Sequence, residues 1–521
     1  MSNHEKEKTA VPLPKKKESA AVDSAFLKGV WEYEKKYGDQ IRPQERPLYH
    51  LTPYTGWMND PNGFSWYDGK YHLFYQYNPY NTVWDSMHWG HAVSEDLLCW
   101  KHLPAALAPD QEYDSFGCFS GSAETLDDGR QILMYTAVSK LPDENGNPVE
   151  RQRQAIAFGD GKTYQKYKNN PVIDETMLPA GASPVDFRDP KMFRKKDGAF
   201  GAVIASRSED GSGQILLYGS EDGLNWNYEC TLLKNNRRHG LMWECPDLFE
   251  LDGKDVLILS PQDMIPERLE YPSGNGTMAV IGQIDLKTGI MREQFNQSID
   301  YGIDFYAPQT LLSPDGRRIM VAWMQNWDTV QHRKDTFGWF SQMSTPRELS
   351  IRNSRLVQRP VREIEALRRN RISYQDVLLD HETLVLDGIQ GRTIDLEIIA
   401  EPEEKAGQQH KLIIRFAQDH RFFTEIRYDP SEQTIRMDRK YSGTRRAYIH
   451  ERKMKVNTEN GKLKLRLLLD RYSAELFVND GEQAMSMVIY TDQEADGISF
   501  ESAGRYRLDV TKYDIETNQK Q

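Results

Sequence analysis

The chain has 521 residues, 28% of them charged, and 66 basic against 78 acidic side chains give a formal net charge of −12. That length accommodates two or three domains with sizeable cores. No basic stripe offers a track for a nucleic acid, and no apolar run reaches the roughly 18 residues that a membrane span needs, so neither partner is expected.

Residues 1–21 are polar and include Lys15-Lys16-Lys17, the composition of a disordered tail. No apolar stretch comes after the basic residues as a secretory signal would require, which predicts a cytoplasmic protein. The four cysteines (Cys99, Cys118, Cys230 and Cys245) are then expected to be reduced. They form no CxxC pair and no ligand pattern with the histidines, so they mark no metal site; no cofactor is expected either. Cys245, beside Glu244, either tunes a site or packs as a small apolar residue. Ala20 to Tyr37 reads as an amphipathic helix, with Phe26, Val30, Tyr33 and Tyr37 at helical spacing. Residues 1–44 thus form a tail and a helix packed on the side of the next domain.

From residue 45 the pattern is of strands. Asp-Gly pairs precede apolar runs at Asp68, Asp128, Asp197, Asp252 and Asp315, at intervals of 60, 69, 55 and 63 residues. Asp-Gly between strand-like runs is a hairpin signal, and a quasi-period of this size predicts an array of small sheets, as in a β-propeller. Further Asp-Gly pairs occur at Asp160, Asp210 and Asp222. A second echo, Ser94-Glu95-Asp96-Leu97-Leu98-Cys99-Trp100 against Ser220-Glu221-Asp222-Gly223-Leu224-Asn225-Trp226, is offset by 126, close to two periods.

Eight residues before each of the five turns lie Asp60, Ser120, Asp189, Glu244 and Ala307, within WMNDPNG, FSGS, FRDP, WECPD and FYAPQ. Equal offsets on strands predict equal facing. Three carboxylates from three sheets would then meet at one mouth of a central channel. Mutually repelling acids in one place shift pKa values and mark a functional site. His50, His72, His88 and His91 cluster nearby without zinc-like spacing and are read as structural.

Val361 to Arg369 is charged and helix-like, within a linker placed at 351–371. From Ile372 short strands alternate: His410 to Phe416, Phe422 to Tyr428, Leu463 to Leu469 and Ala474 to Val478, the last leading into the hairpin turn Asn479-Asp480-Gly481. This predicts a β-sandwich over 372–521, an all-β chain overall, with a propeller domain over 45–350.

WMNDPNG, FRDP and ECP, in this order, resemble glycoside hydrolase family 32, the invertase and fructan hydrolase family. FYQYNP, MHWGHAVSEDL and FSGS add to the likeness, which runs from about Tyr49 to the C-terminal region. The resemblance implies a five-bladed β-propeller followed by a β-sandwich. It implies a retaining β-fructofuranosidase that removes terminal β-fructofuranosyl units from sucrose and short fructo-oligosaccharides. Sucrose-6-phosphate hydrolase is the alternative, needing a Lys/Arg cluster at the rim, with Arg151 and Arg153 or Arg237 and Arg238 as candidates. Fructosyl transfer and a non-catalytic sugar-binding propeller are readings of other kinds.

By the same resemblance Asp60 is the nucleophile, Glu244 the general acid/base and Asp189 the transition-state stabiliser. Trp57, Asn59, Gln76, Trp84, Phe119, Ser120, Arg188, Asp304 and Trp327 are implied sugar contacts, with core packing the competing use of the tryptophans. The chemistry asks Glu244 to hold a proton near neutrality, and crowding by two aspartates works in that direction. It asks Asp60 to stay ionised, helped by amides of its own turn, and Arg188 to keep Asp189 charged. The partner is a small sugar; the oligomeric state is open, a homodimer being one option.

Overall fold

The computed structural model describes residues 24–142, 145–285, 287–330, 337–403, 410–443, 448–458 and 461–517. Its first element is the helix Ala25–Tyr37. Ser24 caps it, its hydroxyl accepting the Leu27 N–H at 3.1 Å. The helix therefore starts later than the predicted Ala20, and residues 20–23 lie outside the described ones. Its inward face is Leu27, Val30 and Glu34, while Phe26 is 67% exposed. The predicted stripe was misplaced by one residue because the inward face carries a carboxylate. Glu34 accepts the Ala105 N–H, and burial pushes its pKa to about 7. A buried acid is invisible to a search for apolar periodicity.

Five sheets come next. The first holds β1 (Gly56–Tyr67), β2 (Lys70–Asn78), β3 (His88–Ser94) and β4 (Trp100–Leu107). The second holds β5 (Gly117–Thr125), β6 (Gln131–Pro142), β7 (Pro148–Gly159) and β8 (Tyr164–Lys166). The third holds β9 (Ala182–Arg194), β10 (Phe200–Ser208), β11 (Gly213–Ser220) and β12 (Asn227–Lys234). The fourth holds β13 (Met242–Leu251), β14 (Lys254–Gln262), β15 (Met278–Ile284) and β16 (Met291–Ser298). The fifth holds β17 (Tyr306–Leu312), β18 (Arg318–Trp323), β20 (Arg347–Arg352) and β21 (Arg355–Pro360), while β19 (Trp339–Phe340) returns to pair in parallel with β1.

Each of the five predicted Asp-Gly turns joins the first and second strands of one sheet. Asp68-Gly69 and Asp252-Gly253 have positive φ at both residues, as a two-residue hairpin turn demands. The Ser94 and Ser220 echoes link third to fourth strands. In each, the aspartate two residues on (Asp96, Asp222) accepts two backbone N–H groups. The first strands also touch in cyclic order: β1 meets β5, β5 meets β9, β9 meets β13, β13 meets β17, and β17 meets β1.

Two six-stranded antiparallel sheets between Arg368 and Ile515 form the C-terminal part. Leu396, Ile398, Leu467 and Leu476 of one pack against Ile414, Phe416, Ile426 and Phe500 of the other. The four predicted strands lie there with small shifts, for example Leu412–Gln418 and Thr424–Asp429. Strands reach into the predicted linker 351–371 from both sides. Leu356 and Gln358 are buried in β21, and a strand begins at Arg368, so Val361 and the 3-10 turn Arg362–Leu367 make the connection.

Buried ions join the two parts. Arg347 donates to Asp300 at 2.9 Å, and across the junction to Glu475 and Ser486 at 2.6 Å each. His50 bonds Asp470 at 2.8 Å and Glu475 at 3.0 Å. Burial draws its pKa down, but these two bonds outweigh burial and lift it to about 9. Removing one member of such a set strands a buried charge, at about 3–5 kcal/mol. His72 and His91 bond each other at 3.0 Å, and burial lowers both pKa values. His50, His72 and His91 are thus tied into the fold.

Candidate active site

Each first strand breaks register at its motif: between Met58 and Pro61 in β1, Phe119 and Gly121 in β5, Arg188 and Lys191 in β9, Glu244 and Asp247 in β13, and Tyr306 and Gln309 in β17. These are β-bulges, which leave a residue unpaired and re-aim its side chain. In three of them a proline (Pro190, Pro246, Pro308) occupies the break, where no N–H is needed for the ladder, and in β1 Pro61 is the first residue past it. Asp189, Cys245 and Ala307, each just before its proline, have φ of 64°, 48° and 50°.

The bulges correct the predicted phase. Aligned on the prolines, the residues in equivalent places are Asp60, Asp189, Cys245 and Ala307, with Ser120 before Gly121 in β5. Glu244 stands one residue earlier, in the place of Asn59, Phe119, Arg188 and Tyr306. Asp60, Asp189 and Cys245 do converge: the Cys245 thiol lies 3.5 Å from Asp60 Oδ2 and 3.6 Å from Asp189 Oδ2, and its N–H donates to Asp189 at 3.0 Å. Burial pushes the thiol pKa well up, so it stays a donor.

Asp60 Oδ2 accepts the Ser120 hydroxyl at 2.7 Å, and Oδ1 the Asn59 amide at 3.1 Å. Asn59 is itself fixed by Trp57 Nε1, 2.7 Å from its Oδ1. Glu244 meets only donors: Arg188 on Oε1 (Nε at 3.0 Å, Nη2 at 2.9 Å), and Gln262 and Tyr306 on Oε2 at 2.8 Å each.

Burial raises both Asp60 and Asp189, the two acids expected to stay ionised. For Asp60 the charge of Glu244 adds to burial, against hydrogen bonds from Ser120, Asn59 and Cys245 rather than from turn amides. For Asp189, burial and then the charge of Glu244 push the pKa to about 7, and the charge of Arg188 does not outweigh them. The Arg188 guanidinium is spent on Glu244, Asp186 and Gln152.

Asp189 should therefore make stability depend on pH. Its unfolded pKa is near 4, so between about pH 4 and 7 the folded protein holds a proton that the unfolded chain lacks. Stability then falls as pH rises through that window. Asp189→Asn removes the buried charge and should stabilise the protein at pH 8 by about 2–4 kcal/mol. The gain should vanish near pH 4. Thermal unfolding at both pH values checks it, and a variant less stable than the parent at pH 8 refutes it.

These groups floor a cavity of about 340 Å³, within the range of small-molecule sites. Asn59, Gln76, Phe119, Ser120 and Arg188 line it, with Trp84 and Trp327 as apolar walls. Trp84, 38% exposed, stands edge-on to Phe119 at 5.7 Å. Two expected contacts are absent from the lining. Trp57 is buried beneath it, stacked on Trp327 at 6.1 Å. Asp304 is fully buried elsewhere, paired with Arg439 of the C-terminal sheets and accepting the Val488 N–H at 2.8 Å and the Thr329 hydroxyl at 2.8 Å. It belongs to the junction between the two parts.

Sequence reasoning missed Glu150, Gln152, Asp186 and Gln262 in the lining, and Tyr306 on Glu244. A signal existed for Tyr306, which precedes Ala307-Pro308 as Arg188 precedes Asp189-Pro190. The others carry no motif. Strand alternation turns Glu150 and Gln152 inward and Arg151 and Arg153 away. Arg153 is bound by both oxygens of Glu175, at 2.7 and 2.8 Å. Neither Arg237 nor Arg238 lines the cavity.

Three carboxylates in one pocket walled by aromatic and amide groups are what glycoside hydrolysis requires. The model of the glycosyl hydrolases family 32 N-terminal domain matches residues 50–360, and that of the family's C-terminal domain matches 363–517. The chain belongs to glycoside hydrolase family 32. It is 36% identical over 472 residues to raffinose invertase of Escherichia coli (88% of this chain, 92% of that one). It is 34% identical over 453 residues to a sucrose-6-phosphate hydrolase of the same organism (86% and 90%). Among solved structures, a family 32 β-fructofuranosidase variant of Bombyx mori in complex with sucrose superposes with a TM-score of 0.80 at 32% identity, covering 95% of this chain and 99% of that one. The family architecture is a propeller followed by a sandwich, in accord with a mostly β chain. Among the described residues no helix is long and apolar enough to cross a membrane.

Proposed function

We propose that the protein is a retaining β-fructofuranosidase, cleaving terminal β-fructofuranosyl units from sucrose and short fructo-oligosaccharides. The observation that carries this reading is the convergence of Asp60, Asp189 and Glu244 on one pocket, each held by its own donors. The five sheets, with first strands touching in cyclic order, are read as five blades around the pocket. Residues 45–350, extended to the end of β21, form the catalytic domain, and the C-terminal sheets brace it through Arg347, His50 and Asp304.

In this reading Asp60 attacks the anomeric carbon of the fructosyl unit, and Glu244 gives a proton to the departing glycosidic oxygen. The covalent intermediate is then opened by water, which Glu244 deprotonates. The leaving oxygen takes the place of one of the donors now on Glu244. Asp189, held by Cys245, binds fructose hydroxyls, and Trp84, Phe119 and Trp327 pack the ring. Support comes from the match over nearly the whole chain to the family and to relatives named for sucrose and raffinose. Sucrose-6-phosphate hydrolysis uses the same chemistry and is equally consistent with relatives bearing that name.

The test is fructose release from sucrose, sucrose 6-phosphate and 1-kestose, monitored by NMR. The expected first product is β-fructofuranose, before mutarotation. Release of the α anomer would exclude retention, and no release from any substrate would remove the assignment.

A further inference from the structure

The fructosyl-facing groups cluster around Asp60, but the cavity extends past Glu244 on another side. There Arg188 links Glu244 to Gln152 at 3.3 Å and to Asp186 at 3.1 Å. Gln152 Oε1 also accepts the Phe187 N–H at 2.9 Å. Two donors on that oxygen fix the amide and leave its Nε2 for the pocket it lines. Two residues along the same strand face, Glu150 also lines the cavity. Among the described residues its carboxylate accepts no hydrogen bond. Lys140, its cross-strand partner, places its ammonium 3.6 Å from the centre of the Phe116 ring instead.

We infer that Glu150 and Gln152, on the edge of β7, bind the leaving sugar through its hydroxyls and select against a phosphate on it. The inference rests on the β-fructofuranosidase reading. If Glu244 protonates the departing oxygen, the departing unit lies on the Glu244 side, where Arg188, Gln152 and Glu150 stand in line. The Glu150 carboxylate there accepts two sugar hydroxyls, and the Gln152 amide donates to a third oxygen. A phosphate would meet two acids, Glu150 and Asp186, beside Arg188, already spent on Glu244, Asp186 and Gln152, and Arg207, 4.0 Å from Asp186.

The test compares wild type and Glu150→Gln on sucrose, sucrose 6-phosphate and methyl β-D-fructofuranoside, whose leaving group is too small to reach β7. Glu150→Gln keeps the shape of a partly exposed side chain and removes its charge. On sucrose, kcat/KM should fall about tenfold, mostly through KM. The fall on the methyl fructoside should be several times smaller. The ratio of sucrose 6-phosphate to sucrose turnover should rise about tenfold. Equal losses on sucrose and the methyl fructoside would overturn the proposal. So would a wild-type preference for sucrose 6-phosphate that Lys140→Ala abolishes, since the rim would then hold a phosphate on Lys140. A wild-type protein inert on all three would instead refute the underlying reaction.

Discussion

Asp60→Asn is expected to lower sucrose turnover by at least about 10⁴-fold, the scale of losing a covalent nucleophile, with the fold intact. The substitution replaces one carboxylate oxygen with an amide nitrogen at constant shape. Ser120 at 2.7 Å is a hydroxyl and can accept from that nitrogen as well as donate. Burial raises the Asp60 pKa, so its charge costs the fold free energy that the amide does not. Thermal stability at neutral pH should therefore hold or rise while activity disappears. Kinetics, an unfolding curve and sucrose binding by calorimetry check the three parts. Retained binding with lost turnover is the expected pattern. Turnover within tenfold of wild type would end the nucleophile assignment, and loss of the folded state would mean that Asp60 is structural.

Part of this arrangement was legible because turn chemistry is local. Asp-Gly needs only its own backbone to make a hairpin, so five such pairs located five strand pairs. The proline at or beside four of the five bulges is equally local, since it marks where a ladder N–H is not needed. The facing of Glu244 was not legible from its distance to the next turn. The turn is two residues in the fourth sheet, between Leu251 and Lys254, but spans residues 195–199 in the third. The turn after β1 is also two residues, but β1 carries a second register shift, between Asn62 and Ser65, that β13 lacks, so counting back from Asp-Gly lands one residue early in β13. Glu244 was found through an error that exchanged it for Cys245, and both line up on the site for different reasons. Asp304 shows the opposite limit. Its nearness to Tyr306 in sequence said nothing of Arg439, 135 residues away, which claims it. Long-range ionic pairing leaves no periodic trace, and Glu150 and Gln152 escaped notice for the same reason: nothing local distinguishes them from any polar strand residue.

The second large effect is expected at Glu244, and it should depend on the leaving group. Glu244→Gln places an amide nitrogen where one oxygen stood. Arg188 on Oε1 can only donate, so the nitrogen is forced to the Oε2 side. Tyr306 can accept it there while keeping its bond to the Ser260 carbonyl at 3.1 Å, and the Gln262 amide can turn its oxygen inward. The variant should therefore fold with the pocket preserved. An amide has no proton to give to a departing alkoxide, so kcat/KM on sucrose should fall about 10³-fold, within the usual range for a general acid. An aryl β-fructofuranoside with an acidic phenol leaves without protonation, and its first step should lose less than about tenfold. Its second step still needs water deprotonated, so the fructosyl intermediate should accumulate and give a burst of phenol ahead of slow turnover. Added azide, a nucleophile that needs no base, should restore the slow phase. Equal losses on sucrose and the aryl substrate, with no burst, would place Glu244 outside proton transfer. Its four donors would then mark it as the anchor that holds Arg188 in the pocket.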